Sequence, residues 1–346
     1  MIYIKPTGRL SGYGSVLSSK PKNHIVPMLS VLKKNWFMFA LIAIAMVVVA
    51  DSGGALVTAG LWLKQHRGPA IIITLIFYLS GLVLDTRQIR EGLSDIRGLL
   101  VALFLIFLLS PLLGFLFSLL LSDYGVIVGL FLVAVMPSTL SSGVVMTGCA
   151  GGNMAHSLFI TVVANSLVVF TIPLTLSLLL GGVGSKSIEI EQLPMMLKIT
   201  KMVLVPLLLG IVSRRLSGER LRPLLPFISS CNQLGILIIV FMALCAGRPA
   251  IVSGLDSVFF VIFLVFCFHL VLVFGGFAVT GLLRIPRQKR ISVIFMGGQK
   301  TLALSVLLQV SLFPEFGIAL VVCVMHHITH LIMDAYLVGF LKKRAT

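Results

Sequence analysis

Lys300 is the residue that most needs a chemical reason. It lies in FMGGQKTLALSV, residues 295–306, with nine residues before it back to Ile291 and twelve after it to Leu312, nearly all apolar. A bare ammonium at the centre of a bilayer costs at least ~2.5 kcal/mol on insertion scales. From that depth an interface is hard for the side chain to reach by snorkelling. A lysine kept there can bind an anionic substrate, pair with a carboxylate such as Asp334, or occupy the place of a bound cation.

Its surroundings are equally unusual. Gly297-Gly298-Gln299-Lys300-Thr301 interrupts one apolar run, and Pro137-Ser138-Thr139-Leu140-Ser141-Ser142-Gly143 interrupts another. Proline removes a backbone donor, glycine is a poor helix former, and Ser and Thr compete for backbone groups. Unwound backbone is tolerated at membrane depth only where protein, water or a ligand covers it. A broken helix presents a carbonyl end to cations and an amide end to anions. The candidate binding residues here are Ser141, Ser142, Gly143, Gln299, Lys300 and Thr301.

Two further stripes carry chemistry. Ser157, Thr161 and Asn165 recur at i, i+4 and i+8, which puts three oxygen-bearing side chains on one helix face. Such a row suits Na⁺, bound water or simple helix–helix hydrogen bonding. His326, His330 and Asp334 repeat the same spacing, with His327 beside them. Buried His and Asp together are proton-relay material or an internal hydrogen-bond cluster. A zinc protease would need Glu directly after the first His; that place is His327, so neither an enzyme nor a zinc site is expected. His269 stands alone and reads as structural. Lys198 and Lys201 read as snorkelling near the outer start of a span, and the five cysteines as small buried hydrophobes.

The elements that must position these residues are membrane helices. Of 346 residues, 58% are hydrophobic and 11% charged, against about 45–50% and 25% in soluble domains. The apolar runs lack the period of two that barrel strands require. Ten spans are expected near 36–50, 69–84, 98–121, 125–148, 154–181, 194–213, 226–246, 256–283, 291–312 and 316–340. Residues 1–35 read as a basic cytoplasmic tail, in which a targeting segment is also conceivable. Across alternate loops and tails, Lys and Arg number 20 on one side and 4 on the other, with three inside spans. Positive loops resist translocation, so both termini are expected in the cytoplasm, in a bacterial inner membrane. The net charge of +16 is thus a topology signal with some attraction to lipid, not a nucleic-acid surface. Ten spans divide into two sets of five, and an odd number inverts the second set. The interruptions fall in the fourth span of each set, the best sequence pointer to a transporter site.

The motifs have a familiar order. MPSTLSSGVVMTGCAGGNMAHSLFITVVANSLVVFTIPL (136–174), SGLVLDTRQI (80–89), FMGGQKTLALSV (295–306) and HHITHLIMDAYLV (326–338) resemble the symporter-like branch of the bile acid:sodium symporter family. The resemblance covers roughly residues 35–340. It implies an all-α polytopic fold of ten transmembrane helices in two inverted five-helix repeats, with helices 4 and 9 broken and crossing. Spans 1, 2, 6 and 7 would form a panel, and spans 3–5 and 8–10 a core, within one domain over 36–346. It also implies sodium sites. Ser142, Ser157 and Thr161 match one set of ligands, while Gly143 stands where an Asn is usual and Phe295 where a Glu is usual. Gln299 matches a second set, in which Ile106 replaces a Gln; Lys300 follows where Asn is usual. His327 and Asp334 match the branch, and His330 stands where it often has Gln. The expected function is secondary transport of a small organic anion by alternating access, coupled to Na⁺, coupled to H⁺ or uncoupled. The alternative is a non-transporting membrane regulator or ion sensor on the same fold.

Overall fold

The computed structural model describes residues 36–84, 95–183 and 191–343. The basic tail 1–35 and Asp85–Ile89 of the second motif lie outside the described residues. Among the described residues every regular element is helical. In chain order they are α1 (Trp36–Ala50), α2 (Ala55–Gln65), α3 (Gly68–Val83), α4 (Ile96–Phe104), a π-turn (Leu105–Leu109), α5 (Ser110–Ser118), α6 (Tyr124–Ala134) and α7 (Ser142–Cys149). Then follow α8 (Met154–Val183), α9 (Gln192–Ile199), a second π-turn (Thr200–Leu204), α10 (Val205–Ser217), a 3₁₀ turn (Gly218–Leu224), α11 (Leu225–Ser253), α12 (Leu255–Leu282), α13 (Arg287–Gly298), α14 (Leu302–Leu312) and α15 (Gly317–Lys343).

Six described helical stretches are long and apolar enough to cross a membrane: Ile96–Ser118, Met154–Val183, Gln192–Pro249, Asp256–Leu282, Arg287–Leu312 and Gly317–Lys343. The bent pair α1 and α2 makes a seventh if it is one span. The chain is therefore an all-α integral membrane protein. The sequence ends its first span at Asp51-Ser52-Gly53-Gly54. The structure adds α2 beyond that point, turned by 111° from α1. Gly54 makes the turn at φ +70°, a conformation that a side chain resists, and Asp51 Oδ2 accepts Val57 N–H at 2.9 Å.

Close packing uses glycines where helix backbones meet. A Cβ at Gly81 of α3 would lie 2.9 Å from Gly210 Cα of α10, and the reverse holds for Gly210. Small residues at a crossing let backbones touch where lipid gives no hydrophobic drive. Aspartates cap two helices that lead into the site. Asp95 accepts from Gly98 N–H at the start of α4, and Asp123 accepts from Val126 N–H at the start of α6.

Burial separates the interrupted stretch from the others. In Arg287–Leu312, 94% of the apolar segment is buried against protein, compared with 33% in Asp256–Leu282. Helices α4, α7, α8 and α12 pack around α13, while α14 meets α3, α6, α11 and α15. Protein thus covers the polar residues that lipid would reject.

Candidate functional site

Both interruptions are present, and they touch. After α6 the chain leaves the helical path over residues 135–141 and resumes it at Ser142. After α13 it is extended at Gln299 (ψ 143°) and Thr301 (ψ 128°), and resumes at Leu302. Thr301 N–H donates to Pro137 O at 3.0 Å, a backbone bond from one break to the other. Pro137 has no N–H to lose, and its carbonyl is free because the helix has stopped.

Side chains tie the junction further. Thr139 Oγ1 donates to Gln299 Oε1 at 2.5 Å and accepts Gly143 N–H at 3.1 Å, so it also serves the first turn of α7. Ser142 Oγ lies 2.8 Å from Thr139 Oγ1 and 3.1 Å from Gln299 Oε1. Space at Gly143 is tight: a Cβ would meet Met296 Cε and lie 2.9 Å from Gln299 Oε1, the ends of two flexible side chains that would have to shift. Ser141 precedes α7 without a side-chain cap bond.

The α8 stripe faces this junction, but its oxygens are partly engaged. Ser157 Oγ donates to Thr147 Oγ1 at 3.0 Å. Thr161 Oγ1 lies 2.9 Å from Ser157 O and 3.0 Å from Met296 Sδ. Asn165 Nδ2 donates to Thr161 O and to Ser138 O. Ser142 and Gln299 are brought together as expected, whereas Ser157 and Thr161 bond to Thr147, their own helix and a thioether. Two oxygens without a partner remain: Ser138 Oγ and Asn165 Oδ1, on residues that are themselves hydrogen-bonded. Neutral buried oxygens of this kind fit a monovalent cation or water.

Lys300 is 2% exposed. Its Nζ donates to Ile106 O and Ala134 O, both at 3.3 Å, and to Met136 O at 3.0 Å. The pairing with Asp334 that the sequence leaves open is not what forms; among the described residues no ion pair involves Lys300. Asp334 is held by other groups. Gln299 Nε2 donates to Asp334 Oδ2 at 2.8 Å, and His269 Nε2 lies 3.2 Å from Asp334 Oδ1. His330 Nδ1 is 3.7 Å from Asp334 Oδ2, and His330 Nε2 is 3.0 Å from His327 Nδ1. The His326 ring lies 5.3 Å from that of His330 and 5.8 Å from that of His269.

His269 thus joins the cluster around Asp334, which the sequence could not reveal because its partner is on another helix. Four imidazole nitrogens in this cluster have no hydrogen-bond partner: His269 Nδ1, His326 Nε2, His327 Nε2 and His330 Nδ1. Among the described residues no His, Cys, Asp or Glu group has the arrangement of a metal site.

A cavity of about 610 Å³ opens elsewhere, among α2, α3, α9, the second π-turn and α14. Lys64, Arg67 and Lys198 line it with Thr74, Leu307 and Ser311. Lys198, which the sequence reads as snorkelling near the start of its span, lies on the wall of this cavity. Three cations over an apolar wall suit an amphipathic anion.

The family model of SBF-like CPA transporters matches residues 35–343. The chain belongs to the SBF-like CPA transporter family. The family consists of transporters, not enzymes. The chain is 29% identical over 320 residues to an Arabidopsis thaliana protein named "Probable sodium/metabolite cotransporter BASS4, chloroplastic"; that match covers 87% of this chain and 72% of the relative. It is 30% identical over 257 residues to Sodium/bile acid cotransporter 7-B of Xenopus laevis, covering 70% of this chain and 71% of the relative. Membership agrees with the resemblance carried by the four sequence motifs and makes this a membrane transport protein of the sodium/bile acid cotransporter type.

Proposed function

We propose that the protein is a secondary active transporter that moves a small organic anion by alternating access. Ten spans in two inverted sets of five would carry the chain, with both termini in the cytoplasm. The panel and core would move against each other around the junction of the two interruptions. The observation that carries this reading is the bond from Thr301 N–H to Pro137 O. It puts unwound backbone from two distant segments at one place inside a membrane protein, the arrangement expected of a transporter site. The basic cavity beside α14 supports an anionic cargo, because Lys64, Arg67 and Lys198 would draw in a carboxylate or sulfonate while apolar residues cover its body.

Two driving ions fit the geometry. Na⁺ would use the neutral oxygens of Ser138, Ser142, Asn165 and Gln299, and the names of the relatives favour it. A proton would use His269, His326, His327, His330 and Asp334. Purified protein in liposomes, screened with labelled organic anions under imposed Na⁺ and pH gradients, tests the proposal. Gradient-driven anion uptake is expected. Replacing Lys64, Arg67 and Lys198 together by Gln should raise KM about tenfold or more, the effect of losing ~1.4 kcal/mol of attraction, with a smaller change in the maximal rate. Absence of anion uptake under every gradient would overturn the reading.

A further inference from the structure

The partners of Lys300 have a traceable origin. Ile106 comes first along the chain. In an α-helix its carbonyl would accept the N–H of Ser110, but the π-turn gives that N–H to Leu105 O. The next donor along the helix would be residue 111, which is proline and has no N–H. Neither of the usual helical donors therefore reaches Ile106 O. Ala134 ends α6, and the residue four further on, Ser138, is already in the break. Met136 lies within the break itself. Three carbonyls from two segments face one point: Ile106 O and Met136 O, which lack a helical donor, and Ala134 O, which also accepts Ser110 Oγ at 2.7 Å and ends a helix whose dipole favours a cation there.

We propose that these carbonyls of Ile106, Ala134 and Met136 form a monovalent-cation site, which the chain closes with its own Lys300 ammonium. The site takes ammonium-class cations. Three N–H donors meet three acceptors at 3.0–3.3 Å, close to ordinary N–H···O lengths. All three protons of the ammonium are used, so in this conformation Lys300 is a resident counter-cation and not an anion ligand. It also staples the π-turn before α5, the end of α6 and the start of α14 together. This inference does not depend on the transport reading, because its test reads binding and not flux.

The test uses thermal unfolding of the full chain in detergent. Lys300→Met keeps the stem but ends at the position of Cε, which vacates only the ammonium position. Lys300→Ala vacates the stem as well. Both variants should melt several degrees below the wild type. Ammonium ion should restore most of the loss in Lys300→Met, and propylammonium most of the loss in Lys300→Ala, each with the saturating dependence that ligand linkage requires. Propylammonium replaces the missing Cγ, Cδ, Cε and Nζ. Tetramethylammonium, which has no N–H, and neutral propanol should do neither, and the wild type should not respond to any of them. If Lys300→Ala does not fold, Lys300→Met alone decides the matter. Failure of ammonium to stabilise Lys300→Met, failure of propylammonium to stabilise a folded Lys300→Ala, or equal stabilisation of the wild type would overturn the proposal whatever the outcome of transport assays.

Discussion

The two interruptions face each other with opposite chemistry. The first, residues 135–141, works through its backbone. The carbonyls of Met136, Pro137 and Ser138, with Ala134 at its edge, accept from Lys300, Thr301 N–H and Asn165. The second, residues 299–301, works mainly through donors, the exception being Gln299 Oε1, which accepts from Thr139 and Ser142. Lys300 Nζ, Thr301 N–H and Gln299 Nε2 all point outward from it. One break has proline and small hydroxyl residues, so it yields free acceptors with little side-chain bulk. The other has two glycines followed by long polar side chains, so it can reach across. The lesson is that a broken helix in a membrane needs a complement, and here the complement is the other broken helix. Each satisfies groups that would otherwise cost several kcal/mol in lipid.

That complementarity breaks most severely at Lys300. Its removal leaves the buried carbonyls of Ile106 and Met136 without a donor, at about 1–3 kcal/mol each, and leaves Ala134 O with Ser110 Oγ alone. Lys300→Ala should therefore abolish gradient-driven uptake in liposomes and lower stability more than any other single change at the junction. Wild-type uptake rates from Lys300→Ala would remove the lysine from the transport cycle. Gln299→Ala comes next. Gln299 Oε1 serves Thr139 and Ser142, and its Nε2 serves Asp334, so the variant separates the junction from the His–Asp cluster. A loss of about 1–3 kcal/mol in unfolding free energy is expected for the buried groups left unpaired, with at least tenfold slower uptake. If a proton drives transport, the pH dependence of uptake should shift in Gln299→Ala; under Na⁺ coupling the apparent Na⁺ affinity should fall instead.

Much of this frame is legible in the residues. The interruptions announce themselves through Pro137 and through Gly297-Gly298, because both act on local backbone conformation. The i, i+4, i+8 rows on α8 and α15 announce a shared face for the same reason, since helical spacing is a property of one segment. What spacing does not reveal is the partner on another helix. His269 looks solitary until α12 packs beside α15 and brings it to Asp334. Lys300 looks like a match for Asp334, the one acid in the interior of a predicted span, since Asp256 stands at the first position of its own. The packing instead offers it three carbonyls, and gives Asp334 to His269 and Gln299. Lys198 of α9 shares a cavity wall with α2, α3 and α14, a grouping that only the packing reveals. The π-turn at Leu105–Leu109 is the least visible feature. Its trace in the sequence is Pro111, and proline near the start of a helix segment is ordinary.

Pro111 therefore offers the finest test of the donor–acceptor comparison. In Pro111→Ala a backbone N–H appears where none exists, five residues after Ile106 and four after Phe107. If the missing N–H is part of what frees Ile106 O, the new donor competes with Lys300 for it. Alone, the change should alter unfolding free energy by about 1 kcal/mol or less, because one satisfied acceptor replaces another. The informative quantity is the double-mutant cycle with Lys300→Met. The lysine should matter less once one of its three acceptors has an independent donor, giving a coupling of about 0.5–1.5 kcal/mol, within the range for residues sharing a hydrogen-bond network. Strict additivity would mean that the π-turn alone, through the shift of Ser110 N–H to Leu105 O, creates the free carbonyl, and that the proline only starts the helix that follows.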